Sequence, residues 1–219
     1  MLKILRNHSL FFTLFFIWLI VLALLQLFFS PTELMFWVNT HHSPALDVFF
    51  EYTTLLGEDG IWLGVLLVYL YQYFIQKKPV KNQAIMLIII WISKGILSVS
   101  LKNIFNLPRP MEVYEKTGRA IHVIQGLEIH HWQSFPSGHT FTAFALAAFF
   151  ILVARNSLAG FLWLGLAILV GYSRVYLFQH FPRDVFAGSV LGLTLVLGIV
   201  LLFSKKKFAW LQESTPPVS

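Results

Sequence analysis

The chain alternates long charge-free runs with short polar islands. Residues 7–32 carry no formal charge, and residues 10–29 are apolar apart from Thr13 and Gln26. A helix over such a run is about 30 Å long, enough to cross the hydrocarbon core of a bilayer. Comparable runs follow at Gly60–Gln76, Ala84–Leu101, Gly138–Ala154, Ser157–Tyr172 and Arg183–Ser204, and Lys94 is the one charge inside the third. The pattern predicts an all-α membrane protein built as a bundle of six transmembrane helices. Residues 1–210 are expected to form a single domain and 211–219 a loose tail. The segment Ser43–Leu56 reads differently. Asp47 and Glu51 are four residues apart and share a helix face, while Phe49, Phe50 and Tyr52 offer apolar surface. It is predicted to be an amphipathic helix on the outer surface. Lys3 and Arg6 before the first run give it the outline of a signal peptide. Its length and the lack of a small-x-small site after it favour a retained helix.

Basic residues orient the bundle. With six spans, Lys3, Arg6, Lys77, Lys78, Lys81, Arg155 and the Lys205–Lys207 triplet all fall on one side. Basic loops stay in the cytoplasm, so both termini are expected there. The other side receives Ser30–Asp59, Lys102–Ser137 and Ser173–Pro182. It also holds Lys102, Arg109, Lys116, Arg119, Arg174 and Arg183, which break the bias and need another explanation. Composition supports the membrane reading. Of 219 residues, 57% are apolar and 12% charged, against roughly 25% charged in a soluble domain. The 22 Phe and 7 Trp suit lipid and headgroup contact. With no Cys, disulfides and thiolate nucleophiles are excluded. The net charge of +6 is read as topology rather than as a nucleic-acid surface.

Three polar islands sit at the outer ends of the predicted spans. The first runs from Lys102 to Arg109-Pro110. Two fixed cations suit a phosphate, Lys as a point charge and Arg as a bidentate fork; a basic membrane flank has the same composition. In the second, Ser134-Phe-Pro136-Ser137-Gly138-His139, Pro136 precedes a span. Gly138 lets a ligand approach the backbone, and the first-turn N–H groups attract anions. His139 stands at the helix mouth, placed either to move a proton or simply to lie at the interface. The third runs from Ser173-Arg174 through His180 to Pro182-Arg183-Asp184. Asp184, four residues after His180, can reach back to one ring nitrogen and leave the other as a nucleophile. The same carboxylate also suits a helix N-terminus without any catalysis.

The three islands read KxxxxxxRP, PSGH and SRxxxxxHxxxD, in that order. In this the chain resembles the type 2 phosphatidic acid phosphatase family, over roughly Gly60–Ser204, with no departure at a motif position. The resemblance implies a phosphatase acting on a membrane lipid phosphate or pyrophosphate from the extracytoplasmic face of a bacterial cell membrane. It implies that His180 attacks phosphorus, Asp184 orients His180, and His139 protonates the leaving oxygen. Lys102, Arg109, Arg174, Ser137 and the Gly138 N–H would hold the phosphoryl oxygens. No metal, other cofactor or obligatory protein partner is implied. Candidate substrates are undecaprenyl pyrophosphate, phosphatidylglycerol phosphate, phosphatidic acid and lipid A phosphates. A lipid phosphotransferase on the same scaffold fits the motifs equally, because they do not encode the acceptor. A non-catalytic transporter or a haem-binding membrane protein is a distant alternative.

Two features stand outside the motifs. Residues Met111–Gln133 are expected to form a lid or specificity loop carrying Lys116, Arg119, His122, His130 and His131. His130-His131 lacks the ligand spacing of a metal site. Lys94 either lies deeper in a substrate cleft or snorkels to the interface.

Overall fold

The structure is a computed structural model that describes residues 6–118, 120–154 and 156–203. Its described secondary structure is entirely helical: α1 Ser9–Phe28, α2 Pro31–Thr40, α3 Pro44–Leu55, α4 Asp59–Phe74, α5 Lys81–Phe105, the short α6 Pro110–Tyr114, α7 Gly138–Leu152, α8 Ser157–Tyr176 and α9 Pro182–Phe203. Local chemistry sets the starts. Ser30 and Glu33 form a reciprocal capping box before α2, with Pro31 in its first turn. Ser43, Ser137 and Asn156 each accept a first-turn N–H of α3, α7 and α8. Asn106, in the left-handed conformation, ends α5.

Helix α1, the segment from Lys81 containing α5, and helices α8 and α9 are each long and apolar enough to cross a membrane. Helices α3 and α4 meet this standard only together, as a pair bent by 51°. Helix α7 is shorter, at 15 residues, or about 22 Å. The six expected runs therefore all become helices, while four pass as spans by themselves and a fifth does so as the bent pair. The segment read as a separate surface helix is the first arm of that pair. It packs on α8 through Phe50, whose ring lies 5.1 Å from Tyr172 and 4.5 Å from Tyr176. The tail expected at 211–219 and the Lys205–Lys207 triplet lie outside the described residues.

Helix α7 is the hub. Phe141 and the run from Ala143 to Phe149 are buried, packed between α8 and α9 with Phe15 and Trp18 of α1 against Phe144. On the outside, Leu10, Leu27 and Phe28 of α1 and Ile96 and Ile104 of α5 are exposed. An apolar exterior around a well-packed interior is the arrangement a bilayer solvates. Close helix contact is set by small residues. A Cβ on Gly192 would lie 2.7 Å from Phe144 Cβ and 2.8 Å from Ala145 N; one on Gly188, a turn earlier, would lie 2.7 Å from Ser137 O. Gly192→Ala is therefore expected to destabilise by about 1–3 kcal/mol through overpacking. Gly198→Ala on the same helix, where a Cβ meets nothing within 4 Å, is expected to be neutral or mildly stabilising. Denaturation in a mild detergent compares the two.

Candidate active site

One end of the bundle gathers the three islands. Asn106 ends α5 and Pro110 opens α6, Ser137 caps α7, and the α8–α9 turn is tight enough that the N–H groups of Gln179 and His180 both reach Arg174 O at 3.0 Å. The Ser137 N–H donates to Asp184 O at 3.1 Å. That bond ties the start of α7 to the start of α9.

Three cations enter this end from three elements. Lys102 is half-buried in the last turn of α5; a Cβ on Gly138 would lie 3.9 Å from its Nζ. Arg109 is buried. Its Nε donates to Trp132 O at 3.0 Å, and its Nη1 donates to Gln179 Oε1 at 3.1 Å. Arg174 is also buried; its Nη1 donates to Thr54 Oγ1 at 2.6 Å, while its Nε has no hydrogen-bond partner among the described residues. The partners of both arginines are neutral oxygens. Among the described residues no carboxylate forms an ion pair with Lys102, Arg109 or Arg174. A buried guanidinium without a counter-ion is costly, and an anionic ligand relieves the cost.

His180 is 1% exposed. Burial is the main force pushing its pKa well below the ordinary imidazole value, with Arg109, Arg174 and Lys102 adding to it and a bond to the Ser134 backbone opposing it. The ring is therefore neutral at neutral pH, as a nucleophile requires. Asp184 lies close, with Oδ2 at 3.6 Å from His180 Nδ1, too long for a hydrogen bond. The expected bond between them is not formed. Asp184 Oδ2 instead accepts from Ser134 Oγ at 2.5 Å and from the Phe181 N–H at 3.0 Å. The four-residue spacing brings the groups together, but Ser134 and the helix start hold the carboxylate. The same oxygen thus serves the turn and faces the ring. His139, in the first turn of α7, is the more open histidine, with its side chain 29% exposed and its Nε2 4.0 Å from Glu58 Oε1.

Every island residue singled out in the sequence thus lies at this end of the bundle. Thr54, Ser134, Gln179 and Glu58 are the additions. Ser134 and Gln179 lie inside the second and third islands, where the sequence assigned them no role; nothing near Thr54 or Glu58 in the chain marks them. The segment expected as a lid is tied down over the α8–α9 turn. Tyr114 is buried between Phe36 and Phe178, and Gln179 Nε2 donates to Glu128 O at 3.0 Å. His122 is clamped by Asn39 and lies 2.9 Å from Asp47 Oδ2. Lys116 and His131 instead pair with Glu112 near the surface, His130 is half-exposed, and Arg119 lies outside the described residues.

Known proteins share this plan. A family model described as the PAP2 superfamily matches residues 83–208. The chain is 39% identical over 75 residues to the bacitracin transport permease protein BcrC of Bacillus licheniformis, a match covering 34% of this chain and only 36% of that protein. It is 27% identical over 188 residues to the lipid A 4'-phosphatase of Porphyromonas gingivalis, covering 82% of this chain and 75% of that one. The crystal structure of Aquifex aeolicus LpxE superposes with a TM-score of 0.61 at 31% identity, over 78% of this chain and 93% of that one.

Proposed function

Since the chain belongs to the PAP2 superfamily, we propose that this membrane phosphatase hydrolyses a lipid phosphomonoester or pyrophosphate through a phosphohistidine on His180, without a metal ion. The observation that carries the reading is the gathering of three cations at one end of the bundle, two of them buried arginines with neutral hydrogen-bond partners, beside a buried histidine whose pKa burial and these cations push down. Phosphoryl transfer needs mainly positioning and charge stabilisation. Lys102, Arg109 and Arg174 hold the phosphoryl oxygens, with Ser137 and the Gly138 N–H at the start of α7. In the first step a His180 ring nitrogen bonds to phosphorus as the bond to the leaving oxygen breaks. His139 gives that oxygen its proton. In the second step water attacks phosphorus, His139 takes the water's proton, and the P–N bond breaks to release phosphate. Asp184, fixed by Ser134 and Phe181 N, keeps His180 in register and stabilises positive charge on the ring.

The site lies at the end of α5 opposite Lys77, Lys78 and Lys81. With the basic end in the cytoplasm, the reaction takes place at the extracytoplasmic face. The candidate substrates are lipid A phosphates, phosphatidic acid, phosphatidylglycerol phosphate and undecaprenyl pyrophosphate. The test is phosphate release by purified protein from this panel, with a chelator present and no acceptor lipid. Release from at least one substrate, unaffected by the chelator, is expected. Silence on every lipid phosphate overturns the hydrolase reading, and transfer only when an acceptor lipid is added replaces it with a phosphotransferase. Reversible loss of activity in chelator overturns the metal-free mechanism.

A further inference from the structure

Lys94 is the one charged residue inside the third apolar run, and the phosphate cluster makes no use of it. It does not snorkel to the interface. Its side chain is 7% exposed and its Nζ donates to Asp59 Oδ1 and, at 3.0 Å, to Thr142 Oγ1. An ammonium has three donors, so among the described residues one remains without an acceptor. Asp59 is its opposite in exposure. Its side chain is 61% exposed, although Oδ1 also accepts from Trp91 Nε1 at 3.3 Å.

Both residues line a cleft of about 500 Å³ that also takes in Ser98, Lys102, Gly138 and His139. Lys94, Ser98 and Lys102 stand on successive turns of α5. Lys102 lies in the last turn, so Lys94 is about 12 Å further into the span. A lipid whose phosphate rests on Lys102 and Gly138 extends the rest of its body along this cleft. A saturated hydrocarbon chain there leaves the Asp59 carboxylate and the third Lys94 N–H facing apolar surface, which is costly at membrane depth. A carbonyl oxygen of an ester or an amide accepts from Lys94, and where the lipid has an amide N–H or a hydroxyl, that group also donates to Asp59. The flexible four-carbon stems of Lys94 and Lys102 close part of the distance between the two points.

We propose that Lys94 and Asp59 form a second recognition point for the ester or amide linkages of an acylated phosphate lipid, selecting such lipids over polyprenyl phosphates. A polyprenyl chain offers neither carbonyl nor N–H at that depth. The assignment rests on the lipid-phosphatase reading above and names the substrate class for that site. It is tested by kinetics on phosphatidic acid with ester-linked chains, its ether-linked analogue without carbonyls, and a polyprenyl phosphate, in the same micelles. For the wild type, kcat/KM is expected to be about tenfold lower on the ether lipid than on the ester lipid, carried by KM, and lower again on the polyprenyl phosphate. Lys94→Met is expected to bring the ester-to-ether ratio to about one. The ratio is internal to each protein, so a variant that is merely less stable cannot mimic the result. Equal wild-type rates on ester and ether lipids, or a ratio that survives Lys94→Met, overturn the assignment alone. Absence of phosphate release from every lipid overturns the phosphatase reading, and this assignment with it.

Discussion

His180→Ala is expected to slow phosphate release on the order of 10⁴–10⁶-fold, a loss characteristic of removing the group that forms the covalent bond. The fall should appear in kcat, because the groups assigned to bind the phosphoryl oxygens come from Lys102, Arg109, Arg174 and the start of α7. Two controls separate chemistry from folding. The substitution removes a buried ring beside Asp184, and some loss of stability is expected from the cavity. His180→Gln fills more of that space, retains polar atoms and still lacks the imidazole, so it should be as inactive as His180→Ala while unfolding closer to the wild type. Brief incubation with phosphorus-labelled substrate followed by alkaline quenching should trap an acid-labile phosphoryl group on the wild type and none on either variant. Labelling of a different residue overturns the assignment of the nucleophile. A His180 variant with near-normal kcat overturns the mechanism.

The sequence marked helices well and contacts poorly, for separable reasons. Charge-free runs are dictated by the solvent, so all six appear as helices even though no neighbour was known. The bend between α3 and α4 is different. Asp47 and Glu51 mark Ser43–Leu56 as an amphipathic segment, and only Phe50, Thr53 and Thr54 of its helix are buried; what the pattern does not show is its seat, where Asp47 Oδ1 accepts from Tyr176 OH at 2.6 Å and Phe50 packs on α8. A partner more than a hundred residues away decides that arrangement. Gly57, in the bend, also lies against α7, where a Cβ would come within 2.7 Å of His139 Cβ. Likewise, the apolarity of α7 was evident, while its role as the buried hub depends on Gly188 and Gly192 of another helix. In the site, the motif residues were legible because their chemistry is local to each island. Thr54 on Arg174 and Gln179 on Arg109 were not, because they satisfy cations across the fold. Asp184 is the instructive case. Spacing placed it beside His180 correctly, but Ser134, fifty residues earlier, takes the hydrogen bond that spacing alone assigned to the imidazole.

His139→Ala is expected to lower kcat on an alkyl lipid phosphate by about 10²–10⁴-fold, the range for loss of a positioned general acid. The size of the loss should depend on the leaving group, which gives this prediction its force. A lipid alcohol departs poorly as an alkoxide and needs the proton that His139 supplies. An aryl phosphate releases a stable phenolate and does not. On aryl phosphate the first step should therefore survive the substitution. The second step should still be slow, because His139 also removes a proton from the attacking water. The variant is expected to release a burst of phenolate, of one equivalent per active site, and then turn over slowly with the phosphohistidine accumulated. The position of His139 supports such a dual role: it occupies the first turn of α7, lines the cleft with Lys102 and Gly138, and remains 29% exposed, while His180 is buried. Water and a leaving oxygen can reach His139 from the cleft. A purely structural His139 predicts equal losses on alkyl and aryl phosphates and no burst, and that result would remove the proton-transfer assignment while leaving His180 as the nucleophile.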